Sequence, residues 1–143
     1  MKKLVLTSLV LLLSTMALAA QSKNDPAVIR KVMDDQAAAW NRGDLEAFMI
    51  GYWKSDKLKF VSGDRITYGW QPTLDNYRKK YGSPGMMGKL SFSDLDITVL
   101  SRSAAFVVGS WSLAREKDDP KGKFTLLFRK FKDGWRIVTD HSS

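Results

Sequence analysis

Cysteine is absent from the 143 residues, and histidine occurs once. Without a thiol the chain has no disulfide scaffold, no thiolate zinc site and no cysteine nucleophile. A lone histidine excludes a multi-histidine metal site, so neither a metal nor a cofactor is expected. Long apolar runs are equally scarce. The one candidate, Leu4 to Leu13, is broken by Thr7 and Ser8 and falls short of the ~20 residues that cross a bilayer. Lys2 and Lys3 precede it, and Ala17-Leu18-Ala19 follows with small residues at the positions a signal peptidase reads. Residues 1–19 are therefore predicted to be a signal peptide, leaving residues 20–143 as a single periplasmic or secreted domain with no stable membrane insertion after cleavage.

What is present is an ordinary globular composition. Hydrophobic residues make up 44% and charged residues 27%, which excludes a long disordered chain and fits one domain. The 23 Lys and Arg outnumber the 15 Asp and Glu, for a net charge of +8. These cations are spread along the chain among acids, with no continuous basic stripe on any helix. The pattern argues for a solvated surface and against nucleic-acid binding.

Periodicity divides the chain. Asn24-Asp25-Pro26 reads as a helix start, with a capping side chain and a proline in the first turn. Ile29, Val32, Met33, Gln36, Ala37 and Trp40 then recur at helical spacing. Asn41-Arg42-Gly43 ends that helix, and Asp44 caps a second one whose buried face is Leu45, Phe48, Met49 and Tyr52. A hairpin is expected from Leu58–Val61 and Ile66–Tyr68, and a third helix from Pro72 to Tyr81. Glycines between Gly82 and Gly88 mark a loop. Four long strands follow at Leu90–Leu100, Ala105–Arg115, Lys123–Lys132 and Trp135–His141, the last two joined by an Asp133-Gly134 turn. The fold class is α+β: three N-terminal helices packed on a curved, mainly antiparallel sheet. The strands carry apolar residues on both parities, Phe106 and Val108 against Val107, Trp111 and Leu113. Both sheet faces are thus expected to be covered, one by helices and one by a second copy in a homodimer.

Particular strings accompany this order of elements: Trp40-Asn41-Arg42-Gly43-Asp44, Gly69-Trp70, Gly109-Ser110-Trp111, Gly122-Lys123-Phe124-Thr125-Leu126, and Gly134-Trp135 through Ser142-Ser143. Together they resemble the SnoaL-like branch of the nuclear transport factor 2-like, ketosteroid-isomerase-like superfamily, across essentially all of residues 20–143. The resemblance implies a cone whose helices and concave sheet enclose an internal cavity open at one end. It does not imply an activity, because relatives include isomerases, dehydratases, hydrolases, cyclases and non-enzymatic binding or assembly domains. The acids that serve the steroid isomerases do not align here by motif.

Asp140 and His141 are adjacent on a strand and point to opposite faces, so they are not a simple dyad within one subunit. One of them is a candidate cavity acid or base, since desolvation raises a carboxyl pKa; the alternative is that both fasten the chain end. Trp111 and Arg115 share a parity. If that face is concave, Trp111 floors the cavity and Arg115 anchors an anion; otherwise they are core and rim. Tyr52, Tyr68 and Trp70, with Trp53 and Tyr77, are candidate pocket aromatics or plain core. Met86-Met87 is open to reading as a lid or as an incidental loop. Asp94 and Asp96, with Asp118 and Asp119, are better read as a solvent face than as a calcium site.

Three functional readings follow. The first is a domain binding a small apolar or amphipathic ligand through Tyr52, Tyr68, Trp70, Trp111 and Arg115. The second is a cofactor-free isomerase, lyase or cyclase using Asp140 or His141. The third is a protein-interaction domain with a vestigial cavity.

Overall fold

The computed structural model describes residues 24–143. The expected signal peptide at 1–19 and the domain start at Ala20 lie outside the described residues. Helix α1 spans Asp25–Asn41 with proline in its first turn. Its buried stripe is Ile29, Met33, Gln36, Ala39 and Trp40, the three-and-four spacing of a helix lying on a core. Asn24 precedes α1 but makes no capping bond through its side chain. The polar work at that end falls to Asp25, whose Oδ1 accepts hydrogen bonds from Lys130 Nζ at 2.8 Å and Trp135 Nε1 at 3.1 Å. Burial pushes the Asp25 carboxyl up, but those two bonds and the Lys130 charge more than offset this and hold it below its ordinary value. The first turn of α1 is thereby tied to the far end of the sheet.

The joint after α1 explains the Trp-Asn-Arg-Gly-Asp string. Trp40 Nε1 donates to the Met87 carbonyl at 3.1 Å, and Asn41 bonds both the N–H and the carbonyl of Leu90. Gly43 turns the chain at φ 79°, and Asp44 caps helix α2 (Leu45–Phe48) by accepting from Ala47 N at 2.9 Å. The second helix was expected to continue to Tyr52. It tightens instead into a 3-10 turn at Met49–Gly51, because here the chain runs against α1. A Cβ on Gly51 would stand 2.6 Å from Gln36 Cδ. Tyr52 then leaves in extended conformation and bridges Ile137.

Strands β1 (Lys59–Ser62) and β2 (Arg65–Tyr68) form the hairpin, and helix α3 covers Trp70–Tyr81. Strands β3 (Lys89–Ser101), β4 (Ala104–Ala114), β5 (Lys121–Phe131) and β6 (Gly134–Ser142) form the meander. The six strands make one sheet in the order β2-β1-β6-β5-β4-β3, antiparallel except where β1 runs parallel to β6.

Of three register shifts in this sheet, one lies at the end of β3 between Val99 and Ser101, and the other two also decide which side chains it buries. On β3 the register shifts between Ser93 and Asp96, where Asp94 takes φ 54°. The inward positions change there from Leu90 and Phe92 to Leu95, Ile97 and Val99. On β6, Ile137 pairs with Phe128 while Thr139 pairs with Leu127, so Val138 is an extra residue. Its inward set changes from Trp135 and Ile137 to Asp140. Trp135 and Phe128 are among the largest fully buried side chains; cutting either to alanine would cost about 3–5 kcal/mol.

Helices cover the inner face, where Ala105, Val107, Leu113, Phe124, Leu126 and Phe128 are buried. The outer face keeps Phe106 and Val108 at 38% and 39% exposure, so the described helices cover one side of the sheet. Among the described residues, no helix is long and apolar enough to cross a membrane.

Candidate functional site

The helices and the concave sheet face enclose a cavity of about 590 Å³. Its deep wall is buried and apolar, formed by Met33, Phe48, Leu126 and Ile137, with Trp40, Tyr77 and Tyr81 along the helical side. These rings pack edge-on: Trp40 lies 5.2 Å from Phe48 and 4.8 Å from Tyr81 between centroids. At the open end stand exposed polar residues from the hairpin, α3 and the end of the chain.

One ionisable carboxyl sits inside. Asp140 is 4% exposed and lines the cavity. Tyr52 Oη donates to its Oδ2 at 2.7 Å, and Ser142 Oγ donates to its Oδ1 at 2.6 Å. Tyr77 Oη lies 3.5 Å from Tyr52 Oη, so a short row of hydroxyls leads from α3 to the acid. Burial pushes the Asp140 pKa up, the bonds from Ser142 and Tyr52 pull part of it back, and the result is about 6. The same burial, with the Asp140 charge nearby, pushes both tyrosine hydroxyls well above their ordinary value, and they remain proton donors. Such a group can accept a proton or a hydrogen bond from a molecule in the cavity.

The bulge at Val138 is what aims Asp140 inward. It places Asp140 opposite Leu126, in line with the other buried residues of β5. His141 consequently points to the outer face, exposed, opposite Thr125 and Val61. Of the two candidates, Asp140 lies in this chain's cavity beside Tyr52 and Tyr77, and His141 does not.

Among the ligand-binding candidates, Tyr52 and Trp111 line the cavity. Trp111 is not its floor, however: it is half-buried and its Nε1 donates to the Ser143 carbonyl at 3.1 Å, near the open end. Tyr68, Trp70 and Arg115 lie outside the wall. Tyr68 shares the outward parity of Ile66 on β2 and is 57% exposed. Trp70 is spent as a joint, donating to the Met49 carbonyl at 2.9 Å, and its ring carries Lys54 Nζ at 5.0 Å. It faces an outside groove shared with Trp53 and Phe131. Arg115 lies just past the end of β4, its guanidinium 5.9 Å from the Tyr81 ring and its Nε 3.7 Å from Asp118. Its stem fills the space beside Gly88. Of the two readings left open for Arg115, an anion anchor on the cavity floor does not fit its place outside this wall; its buried Nε makes no hydrogen bond among the described residues.

Met87, expected as lid or loop, packs on the core and has its carbonyl held by Trp40. Asp94 bonds Ser110 at 2.8 Å and lies 3.7 Å from Lys123, and the bulge separates it from Asp96. Sequence reasoning missed Phe60 and Gln36 in the wall and Ser142 as a donor to Asp140. The spacing of Ser142, two residues beyond Asp140 on a strand, was the available signal.

With this geometry in place, the comparisons with known proteins are informative. A family model described as a SnoaL-like domain matches residues 29–143. The crystal structure of an NTF-2 like protein of unknown function from Shewanella oneidensis is 44% identical, with a TM-score of 0.79 over 82% of this chain and 98% of that one. An NTF2-like protein with a cystatin-like fold from Novosphingobium aromaticivorans has a TM-score of 0.75 at 16% identity, over 91% and 88% of the two chains. A ketosteroid isomerase-like protein from Erwinia carotovora has a TM-score of 0.65 at 19% identity, over 82% and 93%. The last two show likeness of fold alone. No curated protein matches.

Proposed function

The chain belongs to the SnoaL-like domain family, and from that premise we propose that it binds a small apolar or amphipathic molecule within the cone. The observation that carries this reading is the cavity itself: about 590 Å³, walled by aromatic and aliphatic side chains and holding one convergent polar group. Ligand sites typically enclose about 300–1,000 Å³ with this kind of lining. A cone needing only to fold would gain by filling the space, because unfilled core volume lowers stability.

Export through residues 1–19 to a periplasmic or extracellular location is part of the proposal, supported by Ala17-Leu18-Ala19 after the apolar run. So is a homodimer through the outer sheet face, supported by the exposed Phe106 and Val108. Native mass spectrometry of protein from the periplasmic fraction tests the dimer and the occupant, and a mature mass beginning at Ala20 tests export. A dimer carrying extra mass that is lost on denaturation is expected. A protein with no extra mass that also takes up no apolar dye would overturn the binding reading, and a monomer would overturn the dimer.

A second reading is favoured by one specific observation: a carboxyl with a pKa of about 6 faces the cavity beside two protonated tyrosines. On this reading the occupant is a substrate, Asp140 takes a proton from it, and Tyr52 steadies the charged acid. Turnover of the bound compound by the wild-type protein, lost in Asp140→Asn with binding retained, distinguishes catalysis from storage or transport.

A further inference from the structure

The binding reading leaves the ligand's polarity open, and the open end of the cone carries a feature that narrows it. Three cations line the cavity there: Arg65 from β2, and Lys79 and Lys80 from α3. All three are exposed, and none forms an ion pair among the described residues. Asp140 is the sole acidic side chain in the lining.

A plain account of Lys79 and Lys80 exists, since cations in the last turn of a helix offset its dipole. That account does not reach Arg65, which belongs to another element. It also fails to distinguish Arg78, which shares the last turn but is paired with Glu46 and Asp75 away from the cavity. Two separate elements thus aim unpaired cations at one opening, with Thr67 and Asn76 bonded to each other between them at 3.1 Å.

The strand register sets the depth of the acid relative to this rim. Ser62 pairs with both Arg65 and Ser142, whereas Phe60 pairs with Asp140. Asp140 therefore lies two residues further along the strands, about 7 Å in from the rim. An anionic group pushed to that depth would meet the Asp140 carboxylate; at the rim it would meet cations.

Resting on the binding reading above, we propose that the occupant is an amphipathic anion held head-out: its charged group lies among Arg65, Lys79 and Lys80, and its apolar body extends past Trp111 and Phe60 into the cone. The polarity of the site is the argument. A purely apolar cavity prefers an uncharged chain over its carboxylate, because burying an ionised group costs more than burying a hydroxyl. Only compensation at the rim reverses that order.

The test uses the neutral dye N-phenyl-1-naphthylamine as a fluorescent occupant, displaced by decanoate, decanol or decyltrimethylammonium at low salt. Decanoate is expected to displace it at the lowest concentration, and the ammonium at the highest. In the triple variant Arg65→Gln/Lys79→Gln/Lys80→Gln, decanoate should weaken by about tenfold, the scale of three exposed charge contacts, while decanol changes by less than about twofold. Raising the salt to about 0.5 M should reproduce the decanoate loss in the wild type by screening. The three side chains are exposed, and losing two cations from the last turn of α3 should lower the melting temperature by no more than a few degrees. Dye that binds and yields more readily to decanol, or a triple variant that weakens all three competitors equally, overturns the anion proposal and leaves binding intact. Dye that does not bind at all overturns the binding reading and this inference with it.

Discussion

Asp140 and His141 are neighbours in the chain, yet they occupy the two most different environments the sheet offers. The inner face, on which Asp140 lies, is roofed by three helices, encloses the cavity and raises a carboxyl pKa to about 6. The outer face, on which His141 lies, leaves Phe106 and Val108 partly in solvent among the described residues. The same strand supplies both. The difference teaches that a one-residue bulge, rather than residue type, assigns the chemistry: Val138 shifts the alternation so that Asp140 joins Leu126 and Phe128 on the inside.

The largest expected effect comes from shifting the alternation beyond that bulge by one residue. Inserting one alanine between Thr139 and Asp140 does this, which turns His141 inward and Asp140 and Ser142 outward. Tyr52 then loses its acceptor in a buried place, and an imidazole must enter the inner face opposite Phe124. A loss of about 3 kcal/mol or more in urea unfolding is expected; a loss below about 1 kcal/mol would show that the face assignment is not set there.

Next in size is the charge on the inner face. Below about pH 4 the Asp140 carboxyl is protonated in both the folded and unfolded chain. Between about 4 and 6 the folded state holds the proton that the unfolded state has released, so stability falls as pH rises through that window. Above 6 both forms are ionised and the penalty is constant. A shift from 3.8 to about 6 corresponds to about 3 kcal/mol as an upper bound. Asp140→Asn should therefore gain about 1–3 kcal/mol at pH 8 and nothing at pH 4, by denaturant melts at the two values. An Asn variant no more stable at pH 8 than at pH 4, relative to wild type, would contradict the desolvated placement.

The smallest effect belongs to the outer face. His141→Gln should change monomer stability by less than about 0.5 kcal/mol and leave the fraction of protein carrying bound mass unchanged. A loss of that mass would place His141 in the site after all.

The element order was legible because each helix and strand carries its own period. The stripe from Ile29 to Trp40 and the alternation from Phe124 to Phe128 are strong local signals. The family strings were legible too, and the structure shows why they say little about chemistry. Trp40, Asn41, Asp44, Trp70 and Trp111 each bond a backbone group that fixes one element against another or caps it. Those residues build the cone, and of them Trp40 and Trp111 also line its cavity. The orientation of Asp140 was not legible, since nothing in Ile-Val-Thr-Asp-His marks a bulge; the packing of Trp135 and Phe128 on one side and of Tyr52 on the other selects it. Tyr68 and Trp70 were misplaced for a related reason. Aromatic density does not report direction, and in β2 the inward parity belongs to Thr67. The basic rim was visible only as scattered charge until β2 and α3 were brought side by side.

The most direct test of the account is a carboxyl-detected NMR titration of Asp140 in the wild-type protein between pH 3 and 9. A single transition near pH 6 is predicted, moving upward in Ser142→Ala and Tyr52→Phe as the bonds that stabilise the charged form are removed. A transition near 4, insensitive to both substitutions, would mean that Asp140 faces water, and the cavity would lose the one group that gives it a chemistry.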